Sequence, residues 1–69
     1  MKSHRHKGQV TVTAFRMLRA LNERRFGLNV QDLAEQMGRS TRTAYRFLAA
    51  AQEAGVPLVR DEDGRWRFA

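Results

Sequence analysis

Two arginines, Arg42 and Arg46, stand four residues apart in a segment where small and apolar residues recur at regular intervals. A guanidinium group presents paired N–H donors that fit a carboxylate, a phosphate or the O6 and N7 edge of guanine. On a helix, side chains four residues apart lie on one face. If Ala44 faces inward, both arginines project to the opposite side. They are therefore the first candidates for binding an anion or a base edge, although solvated surface arginines are the simpler alternative.

Hydroxyl groups that suit phosphate oxygens crowd the predicted start of the same helix. Ser40, Thr41 and Thr43 lie where the backbone amides of a first helical turn also point outward. Tyr45 falls at the flank of the arginine face, and we expect it to contact a phosphate rather than a base. These residues would position the helix more than select a sequence.

Arg39 and Arg65 lie outside the helix, and each has acidic neighbours. Arg39 either contacts a phosphate or forms a local ion pair with Asp32 or Glu35. Arg65 follows the predicted tip of a hairpin, from which it can reach a phosphate or a minor groove, unless the acidic residues 61–63 neutralise it.

Three helices followed by a hairpin are needed to place these side chains. Apolar residues at three-to-four spacing predict the helices, and alternation around a turn at Gly64 predicts the strands. On the first helix the predicted inward face holds Ala14, Phe15, Leu18 and Leu21. The predicted ranges are 11–25, 30–37 and 41–54 for the helices and 58–60 and 65–68 for the strands.

The link between the second and third helices is the most informative local pattern. Gly38 permits a sharp turn, Ser40 can cap the next helix, and the small Ala34 allows a close crossing. This spacing is typical of a helix-turn-helix, so the fold class is mainly α (α+β), a winged helix-turn-helix. Helix 41–54 would enter the major groove of double-stranded DNA. Trp66 is expected to close the hairpin onto this helix as a core residue rather than to stack on a base.

Composition limits the chain to one small basic domain. Its 69 residues carry a net charge of +6 and no cysteine, which favours a polyanionic partner. Residues 1–8 are predicted to form a flexible basic arm, in which Arg5 and Lys7 contact DNA, and residues 9–69 the DNA-binding domain. About six phosphate contacts give a log–log salt slope on the order of −5. The apolar runs are too short for a signal peptide or a membrane partner, so a cytoplasmic, nucleoid-associated protein is expected.

Catalytic and cofactor chemistry is not indicated. The chain shows no nucleophile triad, carboxylate pair or phosphate-binding loop, so no enzyme and no cofactor are expected. His4 and His6 have no third ligand in view, and residues 61–64 hold only the opening of a calcium-loop pattern. No metal site is expected.

Residues 13–68 resemble the winged helix-turn-helix at the amino terminus of bacterial WYL-domain transcriptional regulators, within the DeoR-like group. The resemblance lies in Ser40-Thr41-Arg42-Thr43-Ala44-Tyr45-Arg46, in Ala54-Gly55-Val56-Pro57-Leu58, and in Arg60-Asp61 before Gly64. It implies sequence-specific DNA binding for transcriptional regulation by the third helix and the wing. It also implies a carboxy-terminal effector-sensing domain that is absent from this chain, and a homodimer on a palindromic site.

An alternative from another class is a winged helix that serves as a protein interaction or dimerisation module, with non-specific affinity for nucleic acid. A flat apolar patch would favour it, whereas arginines and alanines on the exposed faces favour DNA. Double-stranded RNA is a weaker option because its narrow major groove excludes a helix.

Overall fold

Three helices and a two-stranded antiparallel sheet follow one another along the chain, as the sequence predicts. The computed structural model describes the backbone of residues 2–69 and the side chains of residues 9–69. Its elements are α1 (Lys2–Glu23), α2 (Val30–Met37), α3 (Thr41–Glu53), β1 (Leu58–Arg60) and β2 (Trp66–Phe68). The mainly α winged helix-turn-helix is therefore confirmed. Within the described residues, no helix is both long and apolar enough to cross a membrane.

The start of α1 differs from its prediction. The helix begins at Lys2 rather than at Thr11, because a nucleated helix gains a hydrogen bond with each added residue and Gly8 costs only about 1 kcal/mol. The side chains of residues 1–8 lie outside the described residues. The basic arm, its boundary at residue 8 and the DNA contacts of Arg5 and Lys7 therefore stay predictions.

The inward face of α1 is also rotated from the predicted one. Met17 and Ala20 are buried, whereas Phe15 is 66% exposed. The prediction of Phe15 as a core residue is therefore wrong, and Ala20, which the predicted inward face does not include, belongs to the core. Apolar residues lie on most sides of this helix, so the pattern leaves its orientation open, and packing against α2 decides it.

Local signals fix α2, the turn and α3. Asn29 Oδ1 accepts a hydrogen bond from the amide of Asp32 at 2.8 Å, which caps α2. Gly38 ends α2 in the left-handed region, with φ at +70°. The small side chains of Ala34 and Ala44 are both buried, which allows the two helices to cross closely.

The wing, which is the β1–β2 hairpin, is bonded to the rest of the domain at two places. Residue 58 pairs with residue 68 in the antiparallel ladder, and the side chain of Gln52 donates to the carbonyl of Leu58 at 3.2 Å. On the other side of the ladder, Leu28 and Trp66 exchange backbone hydrogen bonds of 3.0 and 2.7 Å. Trp66 packs against the buried core, as predicted. However, its strand β2 lies against α1, and the hairpin meets α3 through β1.

Candidate nucleic-acid interface

The exposed face of α3 presents the two arginines singled out by their spacing. Ala44 has no exposed surface and Leu48 is 1% exposed, so one side of α3 is fully committed to the core. Arg42 and Arg46 are exposed, at the angular positions opposite Ala44. Ala49 follows them on this face, and its short side chain leaves room for close approach. An α-helix is about 10–12 Å across with its side chains, which matches a major groove about 12 Å wide.

The first turn of α3 holds the predicted hydroxyl groups, and two of them bond to each other. Ser40 Oγ accepts from the amide of Thr43 at 3.2 Å and donates to Thr43 Oγ1 at 3.1 Å. The Ser40 proton therefore serves the cap, and a phosphate contact by Ser40 requires its hydroxyl to rotate. Thr43 keeps its own hydroxyl proton for a further bond. Thr41 is exposed beside it.

Arg39 does not form the local ion pair that was its alternative. Within residues 9–69, the only ion pair joins Arg19 to Glu23 on α1, at 3.1 Å. Arg39 is exposed in the turn directly before α3. Its charge is therefore available to a phosphate. Tyr45 is 43% exposed on the same helix, so its hydroxyl group also lies at the surface.

Arg65 lies in a different neighbourhood from the α3 side chains. The turn before it is held by Asp61, whose Oδ1 accepts the amides of Asp63 and Arg65, both at 2.9 Å. This carboxylate therefore serves the backbone and forms no ion pair with Arg65 among the described residues. The Arg65 side chain lines a cleft of about 310 Å³ with residues of the α1–α2 loop, among them Arg24 and Arg25, and with the acidic residues Glu23 of α1 and Asp32 of α2. No α3 residue lines this cleft.

One basic residue that lies near the α2–α3 turn was not identified from the sequence. Arg16 of α1 reaches the α2–α3 turn, where its Nη1 lies 3.7 Å from the position that a Cβ on Gly38 would take. It lines a cleft of about 480 Å³ together with Arg39. The only signal in the sequence was indirect: a short loop after α1 brings the middle of that helix near the end of α2.

A family model for the helix-turn-helix (HTH) domain matches residues 13–62. The chain belongs to the HTH domain family. The match runs from α1 through β1 to the hairpin turn, so it includes Arg16, Arg39 and all of α3, and it ends before Arg65 and β2. This HTH domain binds DNA, and the amino-terminal modules of WYL-domain regulators carry it. No curated protein and no solved structure matches the chain.

Proposed function

We propose that this HTH domain binds double-stranded DNA in a sequence-specific way and regulates transcription. The observation that carries the proposal is the pair Arg42 and Arg46, exposed on α3 opposite the fully buried Ala44. Neither arginine takes part in an ion pair among the described residues. Their donors are therefore available to guanine edges in the major groove, where each bidentate pair is worth about 1–3 kcal/mol of discrimination.

The remaining basic and polar side chains orient the duplex. Four side chains around the first turns of α3 contact phosphates on either side of the groove: Arg39, Thr41, Thr43 and Tyr45. Ser40 contributes chiefly through the cap that orients the first amides of the helix. The wing residue Arg65, with Arg5 and Lys7 of the arm, binds the flanking backbone or minor groove.

Substitution of Arg46 by alanine tests base recognition. If Arg46 binds a base, Arg46→Ala weakens binding to a duplex selected from a random library by about 1–3 kcal/mol and weakens binding to a scrambled duplex much less. Arg19→Ala is the matched control, since it removes the same charge from an exposed side chain on α1 rather than on α3. Fluorescence anisotropy titrations measure both affinities. Equal losses on both duplexes would remove Arg46 from base recognition.

A second candidate function is dimerisation through α1 and the wing. Phe15, 66% exposed, lines an open cleft of about 560 Å³ with Leu18 and Phe68. Such apolar surface favours a protein contact, and α3 contributes nothing to it. A homodimer formed there would bind a palindromic site with two α3 helices. Sedimentation equilibrium of the wild type and of Phe15→Ser tests this: a dimer lost in the variant supports it, and a monomer in both contradicts it.

The wider role follows from the resemblance to the amino-terminal modules of WYL-domain, DeoR-like regulators. By that resemblance, the domain is the DNA-binding part of a bacterial regulator whose carboxy-terminal domain senses an effector. It acts on the nucleoid in the cytoplasm. The test is whether an enriched duplex lies upstream of genes whose transcription changes when the protein is removed.

A further inference from the structure

Arg16 occupies a place that the proposed function leaves without a role. The residue projects from α1 toward the turn that precedes α3, with Nη1 close to Gly38. A Cβ at this position would lie 3.7 Å from the guanidinium, in ordinary van der Waals contact, so the side chain of Arg16 lies directly beside the turn. The left-handed φ of +70° at Gly38 disfavours any other residue. The glycine is therefore required by the backbone angle of the turn, and the arginine of α1 lies beside that turn.

The charge of Arg16 is not balanced by a carboxylate. Among the described residues, no ion pair and no side-chain hydrogen bond includes Arg16. Residues 1–8 cannot supply a carboxylate side chain to Arg16, because they contain no Asp or Glu. Glu23, which lines the neighbouring cleft with Arg16, is bonded to Arg19 at 3.1 Å.

A second arginine borders the same cleft. Arg39 lies one residue after Gly38 and lines the cleft of about 480 Å³ with Arg16, Thr13 and Gln9. Two guanidinium groups without carboxylate partners here face a space that water can fill. An oxyanion suits such a space, because guanidinium groups bind phosphate with charge-assisted hydrogen bonds.

We propose that the cleft between α1 and the α2–α3 turn binds a phosphate of the DNA backbone, with Arg16 as the ligand from α1 and Arg39 as the ligand from the turn. The inference rests on the proposed function, since it assumes that α3 occupies the major groove. A helix with side chains nearly fills that groove, so a phosphate strand passes beside its first turn. Arg16 lies at the turn that leads directly into α3. It thereby extends the DNA-binding surface from the helix-turn-helix to α1.

A structural role for Arg16 predicts different behaviour. A cation near the last carbonyls of α2 would stabilise that helix through its dipole. In that case Arg16→Ala lowers the melting temperature and alters DNA binding only through loss of folded protein. A phosphate ligand instead changes the salt dependence of binding while the melting temperature stays that of the control.

The experiment measures the affinity of the full chain for a short duplex of random sequence at several salt concentrations. For Arg16→Ala, the log–log slope is expected to fall in magnitude by about 0.9, which corresponds to about eight-fold weaker binding at 0.1 M salt. Arg16→Lys should retain most of the slope because it keeps the charge. The matched control is Arg19→Ala, which removes one positive charge from the same helix at a side chain already paired with Glu23.

Two results would overturn the proposal. The first is a log–log salt slope for Arg16→Ala equal to that of Arg19→Ala, measured under conditions in which the wild type binds DNA well. The second is saturable binding of inorganic phosphate alone, lost in Arg16→Ala, without any change in DNA affinity, which would assign the cleft to a free phosphate. Failure of the proposed function looks different, because the wild type itself would then show no preference for any selected duplex.

Discussion

Replacing Gly27 by alanine should destabilise the wing far more than the same replacement at Gly55. Both glycines have left-handed backbone angles, with φ of +88° and +95°. A Cβ on Gly27 would lie 2.8 Å from the carbonyl oxygen of Trp66 and 3.1 Å from Cβ of Arg65, whereas a Cβ on Gly55 meets nothing within 4 Å. Gly55→Ala therefore reports backbone strain alone, and Gly27→Ala reports strain together with a clash against β2.

The two costs can be worked from the contacts. A non-glycine residue in this region costs about 1–2 kcal/mol, offset by about 0.4–1 kcal/mol because alanine restricts the unfolded chain. Gly55→Ala should thus cost about 1 kcal/mol. At Gly27 the displaced carbonyl also breaks the two backbone bonds between Leu28 and Trp66, each worth about 0.5–1.5 kcal/mol. The total for Gly27→Ala is about 2–4 kcal/mol.

Thermal unfolding followed by circular dichroism measures both variants. For a domain of this size, 1 kcal/mol lowers the melting temperature by about 4–8 °C. We therefore expect a decrease of about 4–8 °C for Gly55→Ala and roughly 8–32 °C for Gly27→Ala. Equal decreases would refute the reasoning, because they would show that β2 moves away from Gly27 at no cost.

Three further predictions concern the cap, the wing turn and the orientation of α1. Ser40→Ala should lower the free energy of unfolding by about 1 kcal/mol, and Ser40→Asp should restore it while weakening DNA binding, since aspartate caps α3 but repels phosphate. Thermal melting and anisotropy titrations of both variants check this. A melting temperature of Ser40→Asp as low as that of Ser40→Ala would contradict it. Asp61→Ala should accelerate hydrogen exchange at the amides of residues 63 and 65, while Asp61→Asn keeps most of their protection, because the accepting oxygen remains. Similar exchange rates in both variants would show that the Asp61 side chain does not hold the turn. Met17→Ala should lower the free energy of unfolding by about 2–5 kcal/mol and Phe15→Ala by less than about 0.5 kcal/mol, because only Met17 is buried. Urea unfolding measures both values, and the reverse order would contradict the orientation of α1.

The elements with strong local signals could be predicted from the sequence. Asn29 and Ser40 cap α2 and α3 at the expected positions, and Gly38 and Gly64 take left-handed angles where the chain turns. Each of these features depends on a few neighbouring residues, so a short window of sequence contains the cause. The exposure of Arg42 and Arg46 follows in the same way from the helical period once Ala44 is placed inward.

Features that depend on packing between distant segments could not be predicted. The orientation of α1 is decided by contact with α2, and the apolar residues of α1 are too evenly spread to reveal it. The bridge between Leu28 and Trp66 joins residues far apart in the chain, and no local pattern marks it. The position of Arg16 beside Gly38 depends on the same packing of α1. The missed part of the site is therefore the part supplied by α1.

Selection of binding sites from a random duplex library, followed by titration of the enriched duplex against a scrambled one at two salt concentrations, tests the central claim most directly. If α3 recognises bases through Arg42 and Arg46, a guanine-containing motif is enriched and binds more tightly than the scrambled duplex at both concentrations. An inverted repeat in that motif would indicate a dimer. If no motif is enriched and both duplexes bind equally with a steep salt dependence, the arginines bind only the backbone, and sequence-specific recognition is contradicted.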